Sequence, residues 1–393
     1  MLDANTARAR DLMNGFAERT GLISGSQRRY LWTDAFAVCN FIGLGRATAD
    51  PQYDELAIRL VHAVHRVLGR HRADDARSGW LSGLPEEAGE AHPTLGGLRI
   101  GKPLPERAAG QPLDEDLEWD RDGQYFHYLT KWMHALDQLA RARHEPPLQL
   151  WARELADTAH RRFTHGVAGT RSRRMSWKLS IDLTRPQVPS MGHHDPLDGL
   201  MTCLELQSTA ATWGGVVRGP DLADAIADFA SMIEPASLPT ADPLGIGGLL
   251  VDAHRLAQLV QAGTRGADPG LLEALLAAAL HGLRHFSELT DLAAPANRRL
   301  GFRELGLTIG LAALASIDRT TVSVGARTSC AQLDRYAHLR RDVEEFWCRP
   351  EHRKARTWID HADINDVMLA TSLAPDGFLI RPSVARQAQS PPG

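Results

Sequence analysis

The sequence predicts an all-α fold, six helical hairpins closed into an (α/α)6 toroid with an inner and an outer ring. Three observations carry that expectation. Apolar residues recur with helical period along most of the chain; the helices are of two kinds; and the two kinds alternate six times. A helix with one apolar stripe buries one face, whereas a helix apolar round most of its circumference is covered on all sides.

The one-faced helices come first in each pair. In 53–68 Leu56, Leu60, Val64 and Val67 recur every three or four positions, with Arg59, His62 and Arg66 between them. In 148–163 Leu148, Trp151, Leu155 and Ala159 do the same after Pro146-Pro147, a pair suited to a first helical turn. Equivalent helices are expected over 6–19, 221–233, 270–289 and 330–347. The buried kind is expected over 30–44, 123–140, 196–207, 244–260, 302–317 and 362–373. Gly43, Gly199, Gly247, Gly248, Gly306 and Gly310 lie inside this second set. Each costs a helix roughly 1 kcal/mol, which close helix approach would repay. Trp132 and Trp151 belong to the core. An open solenoid or two separate bundles would use similar helices, but no Pro, Gly or Ser linker divides the chain and six pairs suffice for a ring. One domain is therefore expected over 1–376, with 377–393 a flexible tail.

Two stretches interrupt the helices as insertions. Residues 78–119 are rich in Pro, Gly and acids and too long for a plain connection. Within 171–191, Met175, Trp177, Leu179 and Ile181 alternate with Ser176, Lys178, Ser180 and Asp182, the pattern of a β-strand over 175–183. Leu98–Ile100, after the Gly96-Gly97 turn, is its expected partner.

Composition excludes several classes. Forty-four Lys and Arg against 48 Asp and Glu give a net charge of −4 over 393 residues, which offers no polybasic surface for nucleic acid or an anionic membrane. The longest apolar runs, 271–280 and 305–317, are shorter than the roughly 20 residues of a membrane span. The N-terminal residues lack a signal-peptide pattern, and Cys39, Cys203, Cys330 and Cys348 form no CxxC pair, so a cytoplasmic location with reduced thiols is expected. Neither a nucleophile elbow nor a P-loop is present, and Gly245–Gly248 reads as close packing.

In an alternating toroid the six loops that lead into the inner helices emerge at one end. They read RRYLWTDAF (28–36), LEWDRDGQYFHYL (117–129), PSMGHHDPLDG (189–199), PTADPLGIGG (239–248), NRRLGFREL (297–305) and RTWIDHADIND (356–366). Five contain Asp and three contain Trp, whereas the connections at the other end are bland turns. Helix capping accounts for part of the acids but not for the Trp and His.

This arrangement resembles the six-hairpin superfamily of carbohydrate-active enzymes, which includes glycoside hydrolases and sugar 2-epimerases. The resemblance implies a single toroid acting on a saccharide, with acid and base before the third and sixth inner helices. Here those positions hold Asp195, beside His193 and His194, and Asp363, beside His361. Glycosidic cleavage needs a protonated carboxyl on the leaving oxygen and an ionised one across the sugar, about 5–5.5 Å away for retention or 6.5–9.5 Å for inversion. Asp122 is a third candidate, because of Asp120 and Asp122 one would pair with Arg121 between them. Trp32, Asp34, Trp119, Tyr125, His127, Trp177 and Trp358 are candidate sugar contacts, and Arg303 and Glu304 candidate anchors for hydroxyls or a carboxylate. In the epimerases two His transfer the proton; His361 suits one role, but the fourth loop has no His and His254 is too deep. A non-catalytic small-molecule binder or scaffold is the remaining alternative. His193, His194, Asp195, His361 and Asp363 are donor types for a metal, but adjacent His on an extended segment point opposite ways, and neither metal nor cofactor is expected. The basic residues Arg171, Arg173, Arg174 and Lys178, and the 352–356 run, read as a rim steering an acidic or phosphorylated sugar.

Overall fold

The helices alternate as the periodicity demands. The computed structural model describes residues 2–23, 28–167, 169–170, 172–188, 190–214 and 218–382. Five outer helices are α1 (Ala4–Arg19), α3 (Gln52–Leu68), α5 (Pro146–Phe163), α7 (Ala223–Met232) and α9 (Pro269–Leu289). The sixth, α11, is broken by a turn at Asp334–Tyr336 into Val324–Leu333 and His338–Cys348. The inner helices are α2 (Leu31–Thr48), α4 (Phe126–Arg143), α6 (Asp195–Thr212), α8 (Pro243–Gln261), α10 (Gly301–Ala315) and α12 (Ala362–Leu373). Each inner helix packs on the next, and α12 packs on α2, so the ring closes.

Burial follows the two kinds of pattern. α2 is buried at every position from Leu31 to Ile42, while α3 buries Tyr53, Ala57, Leu60, Val61 and Val64 and turns Gln52 and Glu55 outward. Asp-Pro pairs start two helices: the Asp242 carboxylate accepts the Gly245 N–H at 3.2 Å on α8, and Asp268 accepts that of Gly270 at 2.8 Å on α9. Where α8 meets α10, a Cβ on Gly247 would lie 2.1 Å from the Gly306 carbonyl oxygen, so glycine sets that spacing. Among the described residues no helix is long and apolar enough to cross a membrane.

The strand expected over 175–183 is two short ones. β1 (Gln124–Tyr125) pairs antiparallel with β4 (Lys178–Leu179), and β2 (Thr164–Gly166) with β3 (Arg173–Met175). The break falls at Ser176–Trp177, where the Trp177 N–H turns to the Ser190 carbonyl at 3.3 Å. Leu98–Ile100 is not the partner of β4. Gly123, lacking a Cβ, lets the Leu179 carbonyl close in, so residues 123–125 occupy that edge. Ile100 then donates to the Gly123 carbonyl at 2.9 Å from the opposite side.

The tail expected from residue 377 does not begin there. α13 (Asp376–Leu379) tucks into the end of the ring away from the lead-in loops and packs on α2, α4 and α8. Phe378 stacks on Phe36 at 4.5 Å, and Gln138 donates to the carbonyls of Gly377 and Ile380 at 3.1 and 3.0 Å. Gly377 permits this, since a Cβ there would strike the Cys39 carbonyl oxygen. Residues 383–393, the rest of the expected tail, lie outside the described residues.

Candidate active site

The chemistry concentrates at the N-terminal turn of α6. Pro196 starts the helix, which places Asp195 in its first turn and Asp198 one turn on. Asp195 is buried; its Oδ2 has no hydrogen-bond partner, and its Oδ1 lies 3.9 Å from His127 Nδ1. Burial, followed by the charge of Asp198, pushes the Asp195 carboxyl well above its ordinary value. The positive end of α6 opposes this, but among the described residues no N–H donates to either oxygen. Asp198 is the contrast. Burial would raise it too, yet the Lys131 ammonium, 2.8 Å from Oδ1, outweighs that and holds it below the usual carboxylate range. One turn of helix thus carries two carboxyls whose surroundings push them in opposite directions. Gly192 covers Asp195: a Cβ there would sit 2.3 Å from its Oδ2.

An aromatic wall flanks these acids. Tyr125 stacks on His127 at 5.6 Å, meets Trp177 at 4.9 Å and faces Tyr128 edge-on at 5.1 Å. The Tyr128 and Tyr30 hydroxyls are 2.7 Å apart. Trp32 is buried between Phe36 and Tyr128, at 4.6 and 6.3 Å. His127, 34% exposed at its side chain, is pushed down to about 4 by desolvation and is therefore neutral at pH 7. Asp34 accepts the Tyr30 N–H at 3.0 Å and faces Arg29 at 3.4 Å; burial, which Arg29 only partly offsets, brings it to about 6.

Deeper in the bore, Glu205, Arg255 and Asp252 partner one another. Glu205 pairs with Arg255 and lies 3.1 Å from His134, whose other nitrogen meets the Phe378 carbonyl at 2.9 Å. Arg255 also holds Asp252 at 3.0 Å. Burial and the nearby Asp198 raise Asp252 to about 6.

Several expected site residues lie elsewhere. Asp122 is fully buried under Arg99 at 2.6 Å and Arg72 at 3.3 Å, and it accepts the N–H groups of Gly101 and Gly123 at 3.0 and 3.1 Å. Its partners are these two arginines and not Arg121, so it ties the insertion together instead of facing a substrate. Asp363, 22% exposed, has Oδ1 on Arg19 at 3.2 Å and Oδ2 on Arg28 at 3.0 Å, which suits a rim clamp better than a base. Glu304 is gripped by Arg299 at 2.7 Å and by the Trp347 indole N–H at 2.8 Å, and Trp358 is buried 5.0 Å from Trp347; both are core. Arg303 pairs with Asp242 at 2.7 Å. His361 is exposed and edge-on to Phe302 at 5.6 Å. His193 and His194 do not point opposite ways: their rings lie 4.4 Å apart and both reach the Leu238 carbonyl, at 3.4 and 2.8 Å, because His194 has left the extended conformation. Lys178 is fully buried and no part of a rim, Arg173 pairs with Asp228 at 3.0 Å, and Arg171 lies outside the described residues. Among the described residues no three His, Cys, Asp or Glu side chains gather as metal ligands. Lys131, Asp198, Asp252, Arg255 and Glu205 were not singled out from the sequence. The signal was there, in charged residues set within helices otherwise apolar all round.

Among the described residues two open-sided cavities can be named, and neither is lined by Asp195. One of about 740 Å³ lies among the insertions between Arg72, Arg77, Glu106, Asp182 and Arg185, and one of about 360 Å³ lies between α9 and α11.

No protein-family model matches the chain, and no curated protein does. Among solved structures, the GH76A alpha-1,6-mannanase of Salegentibacter sp. HEL1_6 aligns with a TM-score of 0.53 at 11% identity, over 94% of this chain and 99% of its own. An inactive variant with two consecutive aspartates changed to asparagine, in complex with alpha-1,6-mannotriose, matches equally. The corresponding alanine variant, in complex with alpha-1,6-mannotetrose, covers 95% and 99% at the same score. The chain shares their fold. At 11% identity this establishes the (α/α)6 toroid, and the chemistry of the bore must be argued from its own residues.

Proposed function

We propose that the protein is a glycoside hydrolase whose working carboxyls are Asp195 and Asp198. The observation that carries this reading is the unlike setting of two carboxyls one turn apart on α6: Asp195 is buried with an unpartnered oxygen, and Asp198 is held by the Lys131 ammonium at 2.8 Å, a setting that favours a proton donor beside an anion. Asp195 would protonate the leaving oxygen, and Asp198, steadied by Lys131, would face the positive charge that develops on the sugar. Whether the anomeric configuration is retained or inverted depends on the separation of the two carboxyl groups, about 5–5.5 Å or 6.5–9.5 Å, and is read directly from the first product. The mannanases bind alpha-1,6-linked mannose chains, which makes such chains the first substrates to try. The chain's single Asp-Asp pair, Asp74-Asp75, is engaged by Arg72 at 2.7 Å and Arg77 at 2.8 Å in the insertion. The four free cysteines, three of them buried, fit a reducing compartment such as the cytoplasm.

A second reading, a saccharide-binding protein without turnover, is favoured by the cover over Asp195, whose carboxyl is buried beneath Gly192. Hydrolysis requires segment 190–194 to lift. An epimerase has less support, since His361 is exposed while His254 is buried against Gln258. The experiment is a panel of aryl glycosides and oligosaccharides, read by mass and by the anomeric proton signals of the first product. Cleavage by the wild type that disappears in both Asp195→Asn and Asp198→Asn supports the hydrolase. Binding without cleavage by the wild type selects the second reading.

A further inference from the structure

The insertions present a tryptophan pair that the bore does not need. Trp119 is 58% exposed, the most open aromatic side chain among the exposed large apolar residues, and its ring lies 5.7 Å from that of Trp177 at a 36° tilt. From this pair contact is continuous inward: Trp177 to Tyr125 at 4.9 Å, Tyr125 to His127 at 5.6 Å, and His127 to the Asp195 carboxyl at 3.9 Å. We propose that Trp119 and Trp177 form an outer sugar-binding subsite, so that the ligand of this mouth is an oligosaccharide of neutral pyranose units. This rests on the saccharide reading above and names the substrate class.

The platform is held in place at some cost. Lys178 is fully buried between the two tryptophans' backbones, a position an ammonium occupies only when well partnered. Its Nζ lies 2.7 Å from the Glu118 carboxylate, donates to the carbonyls of Glu118 and Arg121 at 2.7 and 3.0 Å, and sits 5.2 Å from the centre of the Tyr125 ring. It thereby pins the turn that carries Trp119 to the strand next to Trp177. The Trp177 indole N–H is spent on Ser190 Oγ at 2.9 Å, which fixes the ring. An exposed flat apolar face beside a polar rim suits the C–H face of a pyranose with its hydroxyls turned outward. Asp120, exposed next to Trp119 and with a side chain engaged in no hydrogen bond or ion pair among the described residues, is a hydroxyl acceptor at that edge. The exposed acids close in sequence to Trp119 are Glu115, Asp116 and Asp120, while Glu118 is neutralised by Lys178 and Arg107, so a neutral sugar is favoured over an acidic or phosphorylated one.

The test uses the full chain carrying Asp195→Asn, so that ligand survives, titrated with mannose oligosaccharides of one to six units and with an anionic oligosaccharide. Tryptophan fluorescence and calorimetry are the readouts. The expected result is affinity that rises with chain length, a roughly tenfold loss on adding Trp119→Ala that is confined to the longer neutral ligands, and recovery with Trp119→Phe. Equal affinity of the Trp119→Ala and parent proteins for every length overturns the subsite while leaving the saccharide reading standing. Binding of none of the sugars overturns both. A change in oligomeric state with Trp119→Ala, without a change in sugar affinity, overturns the subsite in favour of an interface between two copies.

Discussion

Asp195 and Glu205 stand on one helix about three turns apart, both buried, and their carboxyls are displaced in opposite directions. At the mouth, Asp195 has a histidine at 3.9 Å and an oxygen with no partner. Toward the far end, burial would raise Glu205 as well, but the Arg255 guanidinium and His134 overcome it and hold the group well below its ordinary value. Burial alone therefore does not set ionisation in this bore; the partner does. One end of α6 is built to keep a proton and the other to keep a charge. The aromatic wall and the covering Gly192 belong to the first end, and α13 with its plugging Phe378 to the second.

Removing the proton donor is the largest way to break this contrast. Asp195→Asn is expected to lower turnover of a cleaved glycoside by about 10³-fold, within the range of general-acid contributions, while circular dichroism and melting show an intact fold. Arg255→Met attacks the other end. It strands Glu205 and Asp252 without their shared guanidinium, and leaving buried charges unpaired costs about 3–5 kcal/mol, to be read as a drop in the urea midpoint. An Arg255→Met protein as stable as the wild type would mean that water reaches this part of the bore.

The pH dependence sharpens the same comparison because the two signs differ. For Asp195 the folded value is raised, so between the unfolded value near 4 and the raised one the native state keeps a proton that the unfolded chain releases. Stability falls as pH rises through that window. For Glu205 the folded value is lowered, so its contribution is present above the unfolded value of about 4.3 and is lost as pH falls toward the lowered one. Melting temperatures from pH 3 to 8 are therefore expected to show Asp195→Asn gaining on the wild type as pH rises above 4. Parallel curves would mean that Asp195 is ionised at the positive end of α6. Activity is expected to fade on the alkaline side as Asp195 loses its proton.

What was legible in the sequence is what is local. Helix period and the alternation of one-faced with buried helices depend on neighbours three and four residues away, and they led to the correct ring. The lead-in loop of α6 stood out in the sequence through His193, His194 and Asp195, and the structure buries Asp195 in the first turn of that helix. The fate of an individual acid was less legible, because its partner arrives from elsewhere in the chain. Asp122 finds Arg99 and Arg72 at separations of 23 and 50 residues, and Asp363 meets Arg19 across 344. Glu304 is the exception, since its arginine lies only five residues away. Short strands were misplaced for a related reason: 98–100 and 124–125 both lie near β4, and only the close approach at Gly123 decides which one pairs.

The smallest expected effect concerns Asp363, the acid that the resemblance placed opposite Asp195. Its two oxygens are shared between Arg19, 43% exposed, and Arg28, 81% exposed. Solvent screens both, and such pairs contribute about 0–1 kcal/mol. A carboxylate with both oxygens already engaged by guanidinium groups is also poorly placed to reach the proton of a water. Asp363→Asn is thus expected to shift the urea midpoint by no more than that range and to leave turnover within about twofold of the wild type. Loss of turnover comparable to that of Asp195→Asn, with the fold intact, would move the second carboxyl from Asp198 to the α12 rim. The product would then be expected to show inversion, because the two acids would act from different helices across the mouth instead of from one helical turn.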